Sequence, residues 1–178
     1  MRRTEGFTLI ELVAGIVLVA AALLVIITFT RNQASRQTSI IYQIHASELA
    51  GAMIHRAQAL RFDEESNELG GEPFCGDTGP ACTAPASYGS EGSENGVLTF
   101  NDIDDLNEYC DNPLSGSDFA LALGLDPTVY GNYQLKTCVT SAPGFVGAAG
   151  DDAAKRLDLT VILPNSQTIA FRGYWSNY

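Results

Sequence analysis

Apolar residues run almost without interruption from Phe7 to Thr30, 24 positions broken by a single charge at Glu11. At about 1.5 Å rise per residue, a helix of that length reaches roughly 36 Å, enough to cross the hydrocarbon core of a bilayer. The run is longer than the apolar core of a secretory signal peptide, and the stretch after it, RNQASRQTSIIYQ, is polar yet favourable to helix. Beyond it, Tyr42, Ala46, Leu49, Met53, Ala57 and Leu60 recur at steps of three and four, the spacing of one apolar helix face. No proline precedes Pro73. The pattern therefore predicts one helix from about Phe7 to Leu60, apolar all round in its first half and amphipathic in its second.

After Leu60 the period changes. SNELGGEPFCGDTGPACTAPASYGSEGSENG is rich in Gly, Ser, Pro and acids and predicts loop. Strands are predicted at Gly96–Phe100, Asn132–Thr140, Arg156–Leu163 and Gln167–Trp175. In the last two, Leu157, Leu159, Val161 and Leu163 share one face, and Ile169, Phe171 and Gly173 follow after a Pro-Asn-Ser turn at 164–166. The fold class is α+β, a long helix packed on a small antiparallel sheet.

Charge divides the chain further. From Phe62 to Tyr178 there are 18 acids against Lys136, Lys155, Arg156 and Arg172. Such a head repels phosphate backbones, so no nucleic-acid partner is expected. The four cysteines, Cys75, Cys82, Cys110 and Cys138, all follow the apolar run. An even count on an exported chain points to two disulfides. The spacing in CGDTGPAC suits a small Cys75–Cys82 loop, which leaves Cys110 with Cys138, although sequence permits three connectivities. A zinc site is the rival reading; it has neither C-x-x-C nor a nearby His. Arg2 and Arg3 precede the span while Arg31 and Arg36 follow it, so loop charge leaves the orientation open. Disulfides would place the head on the oxidising side and the N-terminus in the cytoplasm.

Residues 101–111, NDIDDLNEYCD, hold five acids and two asparagines. Carboxylates and amides at this density can supply oxygen ligands to calcium, and Asp102, Asp104, Asp105 and Asp111 are the candidate ligands. The EF-hand pattern is not met, and a solvated acidic turn or Asx-type caps explain the same residues. No G-x-S-x-G, S-x-x-K or H-E-x-x-H occurs, and His45 and His55 are expected to be solvated helix residues, so an enzyme is not expected.

The leader MRRTEG followed by FTLIELV resembles the class III signal of type IV pilins and type II secretion pseudopilins. The resemblance implies cleavage by a prepilin peptidase between Gly6 and Phe7, and N-methylation of Phe7. It also implies a role for Glu11, whose carboxylate would pair with the new amine of a neighbouring subunit. Two charges costly in an apolar medium then offset each other and fix the axial register. Residues 1–6 would be the leader, 7–30 the transmembrane and assembly helix, 31–61 its amphipathic continuation and 62–178 the globular head.

The stretch Phe100–Tyr109, with Tyr130-Gly131-Asn132-Tyr133 before a strand, resembles minor pilins of the mannose-sensitive haemagglutinin (MSHA) kind. That likeness implies a subunit that primes or caps a filament, with other pilin subunits, the prepilin peptidase and an inner-membrane assembly platform as partners. Its head would be periplasmic before assembly. The apolar run lacks the proline that many major pilins carry, with Thr28 near its place, which favours a minor pilin or a pseudopilin. A type II secretion pseudopilin shares every N-terminal feature, and an anchored binding protein that does not polymerise is the remaining alternative. No cofactor other than calcium is expected.

Overall fold

The computed structural model describes residues 8–67, 74–76, 79–145 and 153–177, with the side chains of 34–36 excepted. The chain divides into two compact units, Met1–Ile41 and Tyr42–Tyr178, and helix α1, Leu9–Gln58, supplies residues to both. The Thr8 carbonyl accepts the N–H groups of Glu11 (3.1 Å) and Leu12 (3.2 Å), which opens the helix. Thr8 and Glu11 stand in the Thr-x-x-Glu order of a capping box, and the acid meets the positive end of the helix dipole.

In the second unit the apolar stripe of α1 forms one wall of the core. Ala46, Leu49, Ala50, Met53 and Ala57 are buried there, and Tyr42 packs against them half-buried. The helix ends two residues earlier than its pattern predicts. After Leu60 the chain bridges to the acidic segment: Arg61 N–H donates to Asn101 O (3.1 Å) and Ile103 N–H to Arg61 O (3.0 Å).

Opposite this wall lies a four-stranded antiparallel meander in the order β1 (Leu114–Ser115), β2 (Gln134–Ser141), β3 (Ala154–Ile162), β4 (Thr168–Ser176). Leu135 pairs with Val161, and Leu159 with Phe171, so the apolar faces of neighbouring strands coincide. Leu135, Thr137 and Val139 of β2 and Leu157, Leu159 and Val161 of β3 face inward. The Trp175 ring lies over Gly173 at the edge strand, where a Cβ would meet it at 2.5 Å. Between β1 and β2 stand two short helices, α2 (Gly116–Ala122) and α3 (Pro127–Tyr130). Asp126 caps α3 by accepting the N–H of Thr128, with Pro127 at the first helical position.

Gly96–Phe100 is not a strand. It is a turn in which Thr99 and Phe100 N–H donate to Gly96 O (2.8 and 3.2 Å). Its carbonyls are taken from the side: Arg56 donates to Val97 O (2.9 Å), Leu98 O (3.2 Å) and Phe100 O (2.7 Å). Val97 and Phe100, three residues apart, are the buried pair, so a helical step rather than alternation governs the segment. The disulfides are Cys75–Cys82 and Cys110–Cys138, with Cα separations of 4.9 and 4.6 Å.

Candidate functional site

Glu11 is the first candidate. The side chains of α1 through Phe29 are solvent-facing, with Ile16 61% and Leu24 65% exposed. Fourteen large apolar residues between Leu9 and Phe29 lie bare in this way. At about 1.5–3 kcal/mol for each such side chain left in water, the total is of order 20–40 kcal/mol, too much for an aqueous helix to carry. The segment is long and apolar enough to cross a membrane.

Its remaining polar groups are masked. Thr28 Oγ1 donates to Val25 O (2.9 Å) and Leu24 O (3.1 Å), and Thr30 Oγ1 to Ile26 O and Ile27 O (3.0 Å each). Hydroxyls turned back onto the helix in this way need no outside partner. Glu11 then stands at one end of a shallow groove of about 430 Å³ along the same helix, floored by Gly15 and Ala20 and walled by Ile16, Val19 and Leu23. Small residues between branched ones let another helix approach closely. Gly6 and Phe7, the other two residues of the predicted processing and assembly set, lie outside the described residues.

The acidic segment folds differently from a single cation loop. Asp104–Tyr109 is a 3-10 helix, and Asp102 and Asp105 each accept the other's backbone N–H across its start. Asp102 Oδ1 accepts the N–H of Asp104 (3.1 Å) and Asp105 (3.2 Å), while Asp105 Oδ2 accepts the N–H of Asn101 (2.9 Å) and Asp102 (3.2 Å). Asp104 turns to Lys155 instead, and Asp111 is exposed. Among the described residues, the four aspartates predicted as one ligand set therefore do not converge. Asp102, Asp104 and Asp105 are each buried. Burial, and then the nearby charges of Asp104 and Asp105, push the Asp102 carboxyl up to about 8.

A residue that sequence reasoning passed over organises this region. Lys155 is 1% exposed and donates to Phe62 O (2.8 Å), Asp63 Oδ2 (2.8 Å) and Asp104 Oδ1. Its ammonium also lies over the rings of Phe62 and Tyr88, 4.7 and 4.9 Å from their centroids. Asp63 in turn accepts the N–H of Thr83 (3.0 Å) and its hydroxyl (3.3 Å), which ties the loop beyond Cys82 to the end of α1. The signal was present in strand parity, since Lys155 shares the inward face of Leu157, Leu159 and Val161.

The two histidines part ways. His55 is exposed, as expected. His45 is not a solvated residue: it is half-buried, edge-on to Tyr130 (5.6 Å between centroids) and Tyr133 (6.3 Å). Tyr130 OH donates to Glu48 Oε2 (3.0 Å), so α3 is pinned to α1 by an aromatic and polar cluster. Burial and that acidic partner hold the Tyr130 phenol above its ordinary value. Compared with protein-family models, with curated proteins and with solved structures, the chain matches none.

Proposed function

We propose that this chain is a minor subunit of a type IV, MSHA-like pilus. It is held in the bacterial inner membrane by α1, cut after Gly6 by a prepilin peptidase, methylated at Phe7 and then assembled into, or made to prime, a filament. The observation that carries this reading is Glu11, the one charge on the exposed apolar surface of Leu9–Thr30, at the head of a groove with a small-residue floor. A charge left bare in a bilayer costs at least about 2.5–3.5 kcal/mol. A neighbouring subunit's N-terminal amine offsets that cost and also sets the stagger between helices. Thr8 and Glu11 can begin the helix in water or lipid, but a capping role alone does not require the uncovered groove beside them.

The second reading, a type II secretion pseudopilin, draws on the same residues and on the unbroken course of α1 through Thr28. The two are separated by deletion: loss of surface pili favours the first, and loss of enzyme secretion with pili intact favours the second. Both rest on processing. The mass of the mature N-terminal peptide tests them together, with methyl-Phe7 expected and an intact Met1 overturning both.

A further inference from the structure

Beyond the assembly helix, the head carries a cluster of carboxylates that its own cations do not balance. One carboxylate oxygen from each of Glu91, Glu94 and Asp105 lies within 4.8 Å of the others, and the same is true of Glu64, Glu91 and Asp102. Glu91 belongs to both groups. The aspartates come from the start of the 3-10 turn and the glutamates from the loops on either side of the Cys75–Cys82 ring.

Buried oxygens without a partner point to something missing from this arrangement. The turn consumes one oxygen of Asp102 and one of Asp105 in N–H bonds. The other two, Asp102 Oδ2 and Asp105 Oδ1, are buried with no hydrogen-bond partner, as is Asp104 Oδ2, on residues 1%, 0% and 1% exposed. A buried carboxyl oxygen left bare costs about 1–3 kcal/mol or more, and proteins seldom leave such groups unsatisfied. Nearby cations do not answer them. Lys155 is spent on Asp63 and Asp104, Arg61 on Glu64 (2.9 Å), and Arg56 on the carbonyls of Val97, Leu98 and Phe100.

We infer that Asp105, Glu91 and Glu94 bind a calcium ion, with Asp102 and Glu64, the second group that shares Glu91, beside it. An all-oxygen set rich in carboxylates, drawn from loops that can adjust, suits calcium at 2.3–2.6 Å, whereas magnesium demands a tighter octahedron and keeps its waters. The ion fills the free valence of Asp105 and draws the 91–94 loop onto the turn. It also removes the mutual repulsion that, after burial, holds Glu91 and Glu94 above their ordinary values. Asp104 and Asp111, two of the four aspartates expected from sequence, take no part. The site does not depend on whether the chain polymerises.

The test uses the full chain in detergent micelles, titrated with CaCl2 or MgCl2 by calorimetry and melted in calcium or EGTA. Wild type should bind one calcium and melt several degrees higher in about 1 mM calcium, the working range of extracellular sites, with a smaller response to magnesium. Glu91→Gln/Glu94→Gln should weaken calcium binding at least about tenfold and abolish the shift, while melting in EGTA at or above wild type. Because both glutamates lie at the surface end of the site, the variant should keep its circular dichroism; if it does not, Glu91→Gln alone is read the same way. Asp111→Asn should bind as wild type does. No calcium-dependent heat or shift in wild type, an equal response to magnesium, or undiminished binding by the double variant would each overturn the assignment.

Discussion

Lys155 on β3 and Asp63 beyond the end of α1, 92 residues apart in sequence, form a buried ion pair with 2.8 Å between Nζ and Oδ2. Asp104 completes a triad of two acids and one cation, and the Phe62 carbonyl takes the third ammonium proton. All three Lys donors are thereby used. The triad joins helix end, acidic turn and sheet at one point, so removing its cation strands two buried carboxylates. Lys155→Met should cost about 3–5 kcal/mol, read from urea unfolding of the full chain in detergent by the fluorescence of its single tryptophan, Trp175. Adding Asp104→Asn should recover part of the loss. A loss below about 1 kcal/mol would mean the triad is not buried as described.

The two disulfides close loops of different size, and their contributions should differ in step. Cys110–Cys138 spans 28 residues and Cys75–Cys82 spans 7. Chain-entropy estimates give about 3.5 kcal/mol for the longer and about 2.4 kcal/mol for the shorter. Paired Cys→Ser variants, unfolded under the same conditions, should fall in that order. The reverse order would show that enthalpy at the Cys75–Cys82 ring, rather than loop closure, dominates.

Gly116 starts α2 against the backbone of the next segment. Its N–H donates to Tyr133 O (2.8 Å), and a Cβ there would meet Tyr130 O at 2.5 Å and Tyr133 Cβ at 2.9 Å. Backbone cannot step aside as a long side chain can. Gly116→Ala should therefore destabilise by about 1–3 kcal/mol despite alanine's higher helix propensity. Gly51→Ala, a helical site with nothing within 4 Å of the added carbon, should instead stabilise by up to about 1 kcal/mol. Equal effects at the two sites would contradict the close approach.

Periodicity made the larger elements legible. The stripe Ala46, Leu49, Met53, Ala57 is buried as its spacing requires, and β2, β3 and β4 fall within two residues of their alternating patterns. Segments held by side chains from far along the chain were not legible. Gly96–Phe100 alternates well enough to pass for a strand, but Arg56, more than forty residues earlier, takes its carbonyls. Helices α2 and α3 had local signals, Gly124 as a helix stop (φ 71° in the fold) and Asp126-Pro127 as a helix start, which lie outside any alternating pattern. The density of acids at 101–111 was visible, whereas their division between a lysine, a pair of caps and three distant glutamates depends on tertiary structure.

The fate of Glu11 is the sharpest test of the proposed function, because its two possible roles predict different outcomes. At position N3 of a capping box it would contribute about 1 kcal/mol to the start of α1, and Gln could take its place. As a register charge it needs an amine across a helix interface, and Gln cannot supply the negative partner. Glu11→Gln and Glu11→Val should both leave the chain in the membrane, since removing a charge from an apolar segment favours insertion. Both should also exclude it from filaments, scored by immunogold labelling of sheared pili against the membrane fraction. If Gln assembles normally and Val does not, capping explains Glu11. If both assemble, the groove beside Gly15 and Ala20 packs without a charge to set its stagger.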